Sequence, residues 1–164
     1  MFSILVLCTG NSARSILGEA ALAKLGEGRL VAYSAGSKPK GVPHPGALRC
    51  LARKGIDTEG FRSKNWDEFT GPDAPPIDLS ITVCGKAAGE VCPLFTGAPL
   101  KVHWGLHDPA DVVGDDAEID AAFEQTWVWL EMRTRALLEL PFETMERSLL
   151  QSELAKIGQM QGAV

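Results

Sequence analysis

The sequence predicts an α/β fold, a three-layer sandwich built on a four-stranded parallel sheet. Three observations lead there. Short, nearly continuous apolar runs of the kind buried on both faces of a parallel sheet recur along the chain. They alternate with segments whose apolar residues fall at helical intervals, the pattern of strands joined by right-handed helical crossovers. With 164 residues, 45% hydrophobic and 23% charged, the chain suits one domain with a sizeable core.

Phe2 to Cys8 reads as the first strand. After the loop Thr9 to Arg14, the residues Ile16, Leu17, Ala20, Ala21 and Leu25 keep helical spacing until Gly26 and Gly28 stop it. Leu30 to Ala35 is the second strand, followed by a Pro/Gly-rich loop through Pro45 and a helix from Gly46 to Lys54. Asp78 to Val83 is the third strand and leads directly into Cys84. Leu100 to His103 is the fourth and opens onto Trp104-Gly-Leu-His-Asp-Pro109. The strongest helix spans Glu118 to Leu140, with Ile119, Phe123, Trp127, Leu130, Thr134 and Leu137 on one face, acidic residues before it and Pro141 after it. A further amphipathic segment runs from Phe142 to Ile157. Residues 1–140 are expected to form the catalytic domain and 141–164 a helical extension of it.

A formal charge of −5 argues against nucleic-acid binding driven by phosphate neutralisation and against attachment to an anionic membrane. The first apolar stretch has no basic leader, so it reads as neither signal peptide nor spanning helix, and a cytoplasmic protein is expected. Four cysteines, Cys8, Cys50, Cys84 and Cys92, then point to redox, metal or catalytic use rather than a disulfide framework. Cys50, beside Leu48 and Leu51, reads as a buried thiol without a role. The spacing of Cys84 and Cys92, with His103 and His107, is a poor match to a zinc site, so no metal is expected.

The informative segment is Cys8-Thr9-Gly10-Asn11-Ser12-Ala13-Arg14-Ser15, between a buried strand and a helix. Such a loop leaves backbone N–H groups free, and the following helix adds the positive end of its dipole, which suits a tetrahedral oxyanion. A cysteine in that field has its thiolate stabilised, an arginine can grip two anion oxygens, and Ser15 can hydrogen-bond the sulfur. The plainer reading is a packed core thiol beside a surface arginine.

These residues resemble the phosphate loop of the low-molecular-weight protein tyrosine phosphatases. That resemblance implies a general acid in a late Asp-Pro, which Asp108-Pro109 supplies. Two departures matter. Ala13 stands where such phosphatases usually carry a second cysteine, and Ala110-Asp111 replaces the tyrosines expected to stack on phosphotyrosine. Cys84 and Cys92 instead bracket a small-residue segment after the third strand, and Cys84 can approach Cys8 if strands one and three are neighbours. The chain is thus similar to the arsenate reductases built on the phosphatase fold. The match runs through Ser34-Ala35-Gly36, Arg62-Ser63-Lys64, Cys84 to Pro93, His103-Trp104-Gly105 and Asp108-Pro109, and covers residues 2 to 140.

That resemblance implies reduction of arsenate to arsenite by Cys8, Arg14 and Asp108, with Cys84 and Cys92 as relay thiols and no bound cofactor. An external thiol reductant, such as thioredoxin or glutaredoxin with glutathione, recycles the enzyme by exchange. Phosphate and sulfate are expected to occupy the same loop. The competing functions are phosphomonoester hydrolysis by the same site and redox-switched oxyanion sensing without turnover. Glu19, Ser34 and Asn11 resemble positions that hold a monovalent cation in some relatives, where Lys64 now stands. Lys64 is either the replacement for that charge or a solvated surface lysine. Trp104 is expected to pack under the Asp108 loop.

Overall fold

The computed structural model describes residues 1–164. Four strands, β1 (Phe2–Leu7), β2 (Leu30–Ala35), β3 (Leu79–Thr82) and β4 (Leu100–His103), form one sheet in the order β2-β1-β3-β4. Every pairing is parallel. The register aligns Leu7 with Ala35 and Thr82, and Thr82 with His103, so the four strands end level at one edge. The carboxyl edge of such a sheet is where open α/β folds bind ligands. Cys8 and Cys84 emerge there from adjacent strands.

Alternation along β1 divides the core. Ile4, Val6 and Cys8 face a 30-residue cluster shared with the long helices, while Leu5 and Leu7 face a smaller one with Ala35, Phe69, Ile77 and Phe95. The larger cluster is covered by α1 (Arg14–Leu25), α2 (Pro45–Arg53), α4 (Asp116–Leu138) and α5 (Arg147–Gly158). The opposite face is covered by a thinner layer, the 3-10 turn Trp66–Phe69 and the loop around Phe95.

Several boundaries move from those expected. Asp115 caps α4 through the backbone N–H of Glu118, whose side chain reaches back to Asp115, so this helix begins at Asp116. The segment after it is not helical from Phe142: a turn through Met145 packs Phe142 against Phe2 and Arg29, and α5 begins only at Arg147. One short helix was not expected, α3 (Gly85–Ala88), directly after Cys84. Trp104 donates its indole N–H to the Leu154 carbonyl in α5 rather than packing under the Asp108 loop, because the C-terminal helix lies against β4. No helix is long and apolar enough to cross a membrane.

Candidate active site

The loop from Cys8 to Ser15 is built by exchanging its carbonyls outward. Thr9 and Gly10 carbonyls accept from the Lys38 and Lys40 N–H groups, and Ser12 accepts from the His44 N–H. Gly36 lets this happen at close range, since a Cβ there would lie 2.6 Å from the Cys8 carbonyl oxygen. No side chain caps α1, and none of the N–H groups from Gly10 to Arg14 is spent on a protein acceptor. Those donors and the dipole of α1 form an anion cradle.

Asn11, fully buried, takes a left-handed conformation at φ 43°. Its side chain repays the strain with three bonds: Nδ2 donates to Ser15 Oγ at 2.8 Å and to Ser34 Oγ at 3.0 Å, and Oδ1 accepts from the Lys64 N–H at 2.9 Å. Ser15 Oγ is thus an acceptor from Asn11, a bond that leaves its own hydroxyl proton uncommitted. The Ser34 hydroxyl donates a hydrogen bond to Glu19. Lys64 is only 8% exposed, its ammonium donates to the Arg62 carbonyl at 3.1 Å, and the charge of Glu19 stands opposite. It is not a solvated surface lysine. Burial raises the Glu19 carboxyl and lowers the Lys64 ammonium from their ordinary values, each opposed by the other's charge.

Arg14 and Asp108 meet across the cleft. Arg14 Nη1 donates to the Leu106 carbonyl at 2.8 Å, and Nη2 lies 3.2 Å from Asp108 Oδ2. Arg14 Nε is buried without a partner, a donor left over inside the site. Asp108 is held by its other oxygen, which accepts from the Ala110 N–H and caps a 3-10 turn over Pro109–Asp111.

Cys84, one residue beyond the level of Cys8 on the neighbouring strand, lines the same cleft. Its sulfur caps α3 by accepting from the Ala87 N–H at 3.2 Å and lies 3.8 Å from the Thr9 hydroxyl. The expectation put the thiolate on Cys8. The interaction between the two thiols lowers Cys84, against burial and with help from the Ala87 and Thr9 N–H groups, so the two neighbouring sulfurs hold one thiolate between them. Cys8 is pushed up by that same interaction and by burial, with the Arg14 charge opposing. As a unit the pair gives up one proton readily and shares the other.

Cys92 is not brought to Cys84. It lies beyond α3, half-buried, in a separate cavity of about 340 Å³ with Lys101 and His103. The His103 ring is engaged by Thr82, and no cluster of three His, Cys, Asp or Glu side chains is arranged to hold a metal. Cys50 is buried against α4, its thiol directed at Phe123 and Glu124.

The cleft over the loop has a volume of about 450 Å³ and is lined by Cys8 to Arg14, Cys84 and Asp108, together with Lys38, Lys40, Lys86 and Asp111. The three lysines were not anticipated. Their signal was present in Lys38-Pro39-Lys40, a basic pair within the loop that follows the second strand of an acidic chain.

A family model described as low molecular weight phosphotyrosine protein phosphatase matches residues 3–151. An arsenate reductase of Halalkalibacterium halodurans is 38% identical over 122 residues, 74% of this chain and 84% of that protein. That of Bacillus subtilis is 37% identical over 123 residues, again 74% of this chain and 84% of its own length. Among solved structures, an arsenate reductase in a phosphate-binding state superposes with a TM-score of 0.65 at 26% identity, covering 85% of this chain and 98% of that one. An Archaeoglobus fulgidus arsenate reductase gives 0.66 at 25% identity, covering 84% and 99%. With its cysteine, arginine and aspartate gathered over one oxyanion loop, the chain belongs to the arsenate reductases of the low molecular weight phosphotyrosine protein phosphatase family.

Proposed function

We propose that this chain reduces arsenate through a relay of Cys8, Cys84 and Cys92. The observation that carries this reading is that Cys8 and Cys84, from the neighbouring strands β1 and β3, line one cleft together with Arg14 and Asp108. Arsenate sits on the free N–H groups of Gly10 to Arg14 and on Arg14, whose unpartnered Nε supplies a further donor. Cys84 takes the Cys8 proton, and the Cys8 thiolate attacks arsenic. A hydroxyl leaves with a proton from Asp108, giving a Cys8–arsenic bond. The Asp108 carboxylate so formed takes the proton from Cys84, and the Cys84 thiolate attacks the Cys8 sulfur. The sulfur–arsenic bond breaks with its electron pair on arsenic, so As(V) leaves as arsenite and a Cys8–Cys84 disulfide remains. Cys92 attacks Cys84, releases the Cys8 thiolate, and an external dithiol or thiol pair such as thioredoxin or glutaredoxin with glutathione reduces the Cys84–Cys92 disulfide.

The last exchange requires residues 85–92 to leave their present packing, since Cys92 faces the second cavity. The unfolding element is small: α3 has four residues, among them Gly85, Ala87 and Ala88, and Gly89 ends it. A working cycle of this kind needs a reducing compartment, so the cytoplasm is its natural place. Residues 141–164 act as an extension of the same domain, with Leu150, Leu154 and Ile157 in the common core.

Phosphomonoester hydrolysis needs only Cys8, Arg14 and Asp108, and is a side activity in this reading. The lysine-lined mouth lacks an aromatic wall for phosphotyrosine. Cys84→Ser tests the assignment: arsenate turnover should stop while slow p-nitrophenyl phosphate hydrolysis persists. Unchanged arsenate turnover in that variant would contradict the relay.

A further inference from the structure

Arg133 is an arginine on the inward face of α4 with 0% exposure and no acidic partner. A buried guanidinium costs several kcal/mol unless strong acceptors surround it. Its acceptors are all backbone carbonyls: Trp129 at 3.2 Å from Nη1, Gln161 at 3.0 Å from Nη1 and Met160 at 2.9 Å from Nη2. Nε has none. Two of the three carbonyls belong to the turn just beyond α5, where the negative end of that helix dipole favours a cation. Arg133 thus ties the segment after α5 to α4.

That segment reaches the active site. Gly162, at φ 94°, turns the chain so closely over Trp129 that a Cβ would lie 2.5 Å from the indole. The Val164 N–H then donates to the Gly105 carbonyl at 3.2 Å, and a Cβ on Gly105 would lie 2.7 Å from the Val164 oxygen. The next residue, Leu106, is fully buried and offers the carbonyl that accepts from Arg14. Asp108, two residues on, faces the same guanidinium.

We propose that Arg133 is a positioning residue for the oxyanion site, holding the C-terminal turn against Gly105 so that the Leu106 carbonyl and Asp108 set the orientation of Arg14. This rests on the reading above that Arg14 grips the oxyanion. Residues 160–164 also lie past the stretch that the family model matches, which ends at residue 151.

Arg133→Met tests it, because an apolar side chain of similar length fills the site without a buried charge. Calorimetry with inorganic phosphate should give a Kd raised about tenfold on folded protein, and the KM for arsenate should rise with it more than kcat falls. Arg133→Lys, which retains a donor for the same carbonyls, should recover part of the affinity. Val164→Pro, which removes only the N–H given to Gly105, should weaken phosphate binding in the same direction with little change in melting temperature. A lowered melting temperature in Arg133→Met with phosphate Kd and KM unchanged would reduce Arg133 to a structural residue and overturn the inference. If Arg133→Met fails to fold, an unchanged Kd in Val164→Pro overturns it equally. A wild-type protein that binds no phosphate would overturn the oxyanion reading and this inference with it, whereas wild-type binding matched by the variants overturns this inference alone.

Discussion

In the proposed relay, two sulfurs and one guanidinium decide the chemistry at the smallest scale. Because Cys8 is the largest influence lowering Cys84, the first thiolate absorbance of the reduced protein should appear with a midpoint below the ordinary cysteine range. Cys8→Ala removes that influence and should move the midpoint up toward the ordinary value of 9.0, while the Ala87 N–H remains. A midpoint that stays low in Cys8→Ala would show that α3 and not Cys8 holds the charge. Arg14→Lys should cut arsenate kcat/KM by roughly a hundredfold or more, since an ammonium cannot replace a planar donor set that meets Leu106, Asp108 and the oxyanion together. Lys64 places a buried cation beside Glu19, so melting temperatures in potassium and sodium chloride should agree. A clear rise with potassium alone would mean that the site still takes the ion.

At the scale of elements, α1 and α4 start in opposite ways. The first turn of α1 has no capping side chain and keeps its N–H groups for a ligand, whereas Asp115 and Glu118 satisfy those of α4 reciprocally. Asp115→Ala should therefore cost about 1 kcal/mol of stability, read from denaturant unfolding, and leave phosphate affinity untouched. The same contrast explains what the sequence made legible. The strands were readable because β1 is a short, nearly continuous apolar run and β3 and β4 alternate apolar with polar residues, and the loop because Cys8, Gly10, Asn11 and Arg14 fall between a strand and a helix. α3 escaped notice because four residues carry no helical period, and the cap that starts it is a cysteine sulfur rather than a Ser, Thr, Asp or Asn oxygen. The Phe142 turn was hidden because its apolar residues share the spacing of the helix that follows. Arg133 was passed over for a related reason: it occupies a core position of α4, and its acceptors lie 27 and 28 residues away in sequence.

Across the whole molecule, an acidic chain of net charge −5 concentrates Lys38, Lys40 and Lys86 around one cleft. Fields of this kind raise the local concentration of small anions and are screened by salt. Lys38→Ala with Lys40→Ala should raise the KM for arsenate roughly threefold and flatten its dependence on ionic strength, with kcat nearly unchanged. In the proposed relay, reduction and anion binding share that cleft because β1 and β3 end level and bring Cys8 and Cys84 to it. Only Cys92 stands apart, and the relay depends on its arrival. Cys92→Ser is accordingly the most direct test. Under single-enzyme conditions it should release one arsenite per protein and stop, with a Cys8–Cys84 disulfide recovered by peptide mass mapping. Sustained turnover of Cys92→Ser at the wild-type rate with a dithiol reductant, or release of arsenite with no Cys8–Cys84 disulfide, would contradict it.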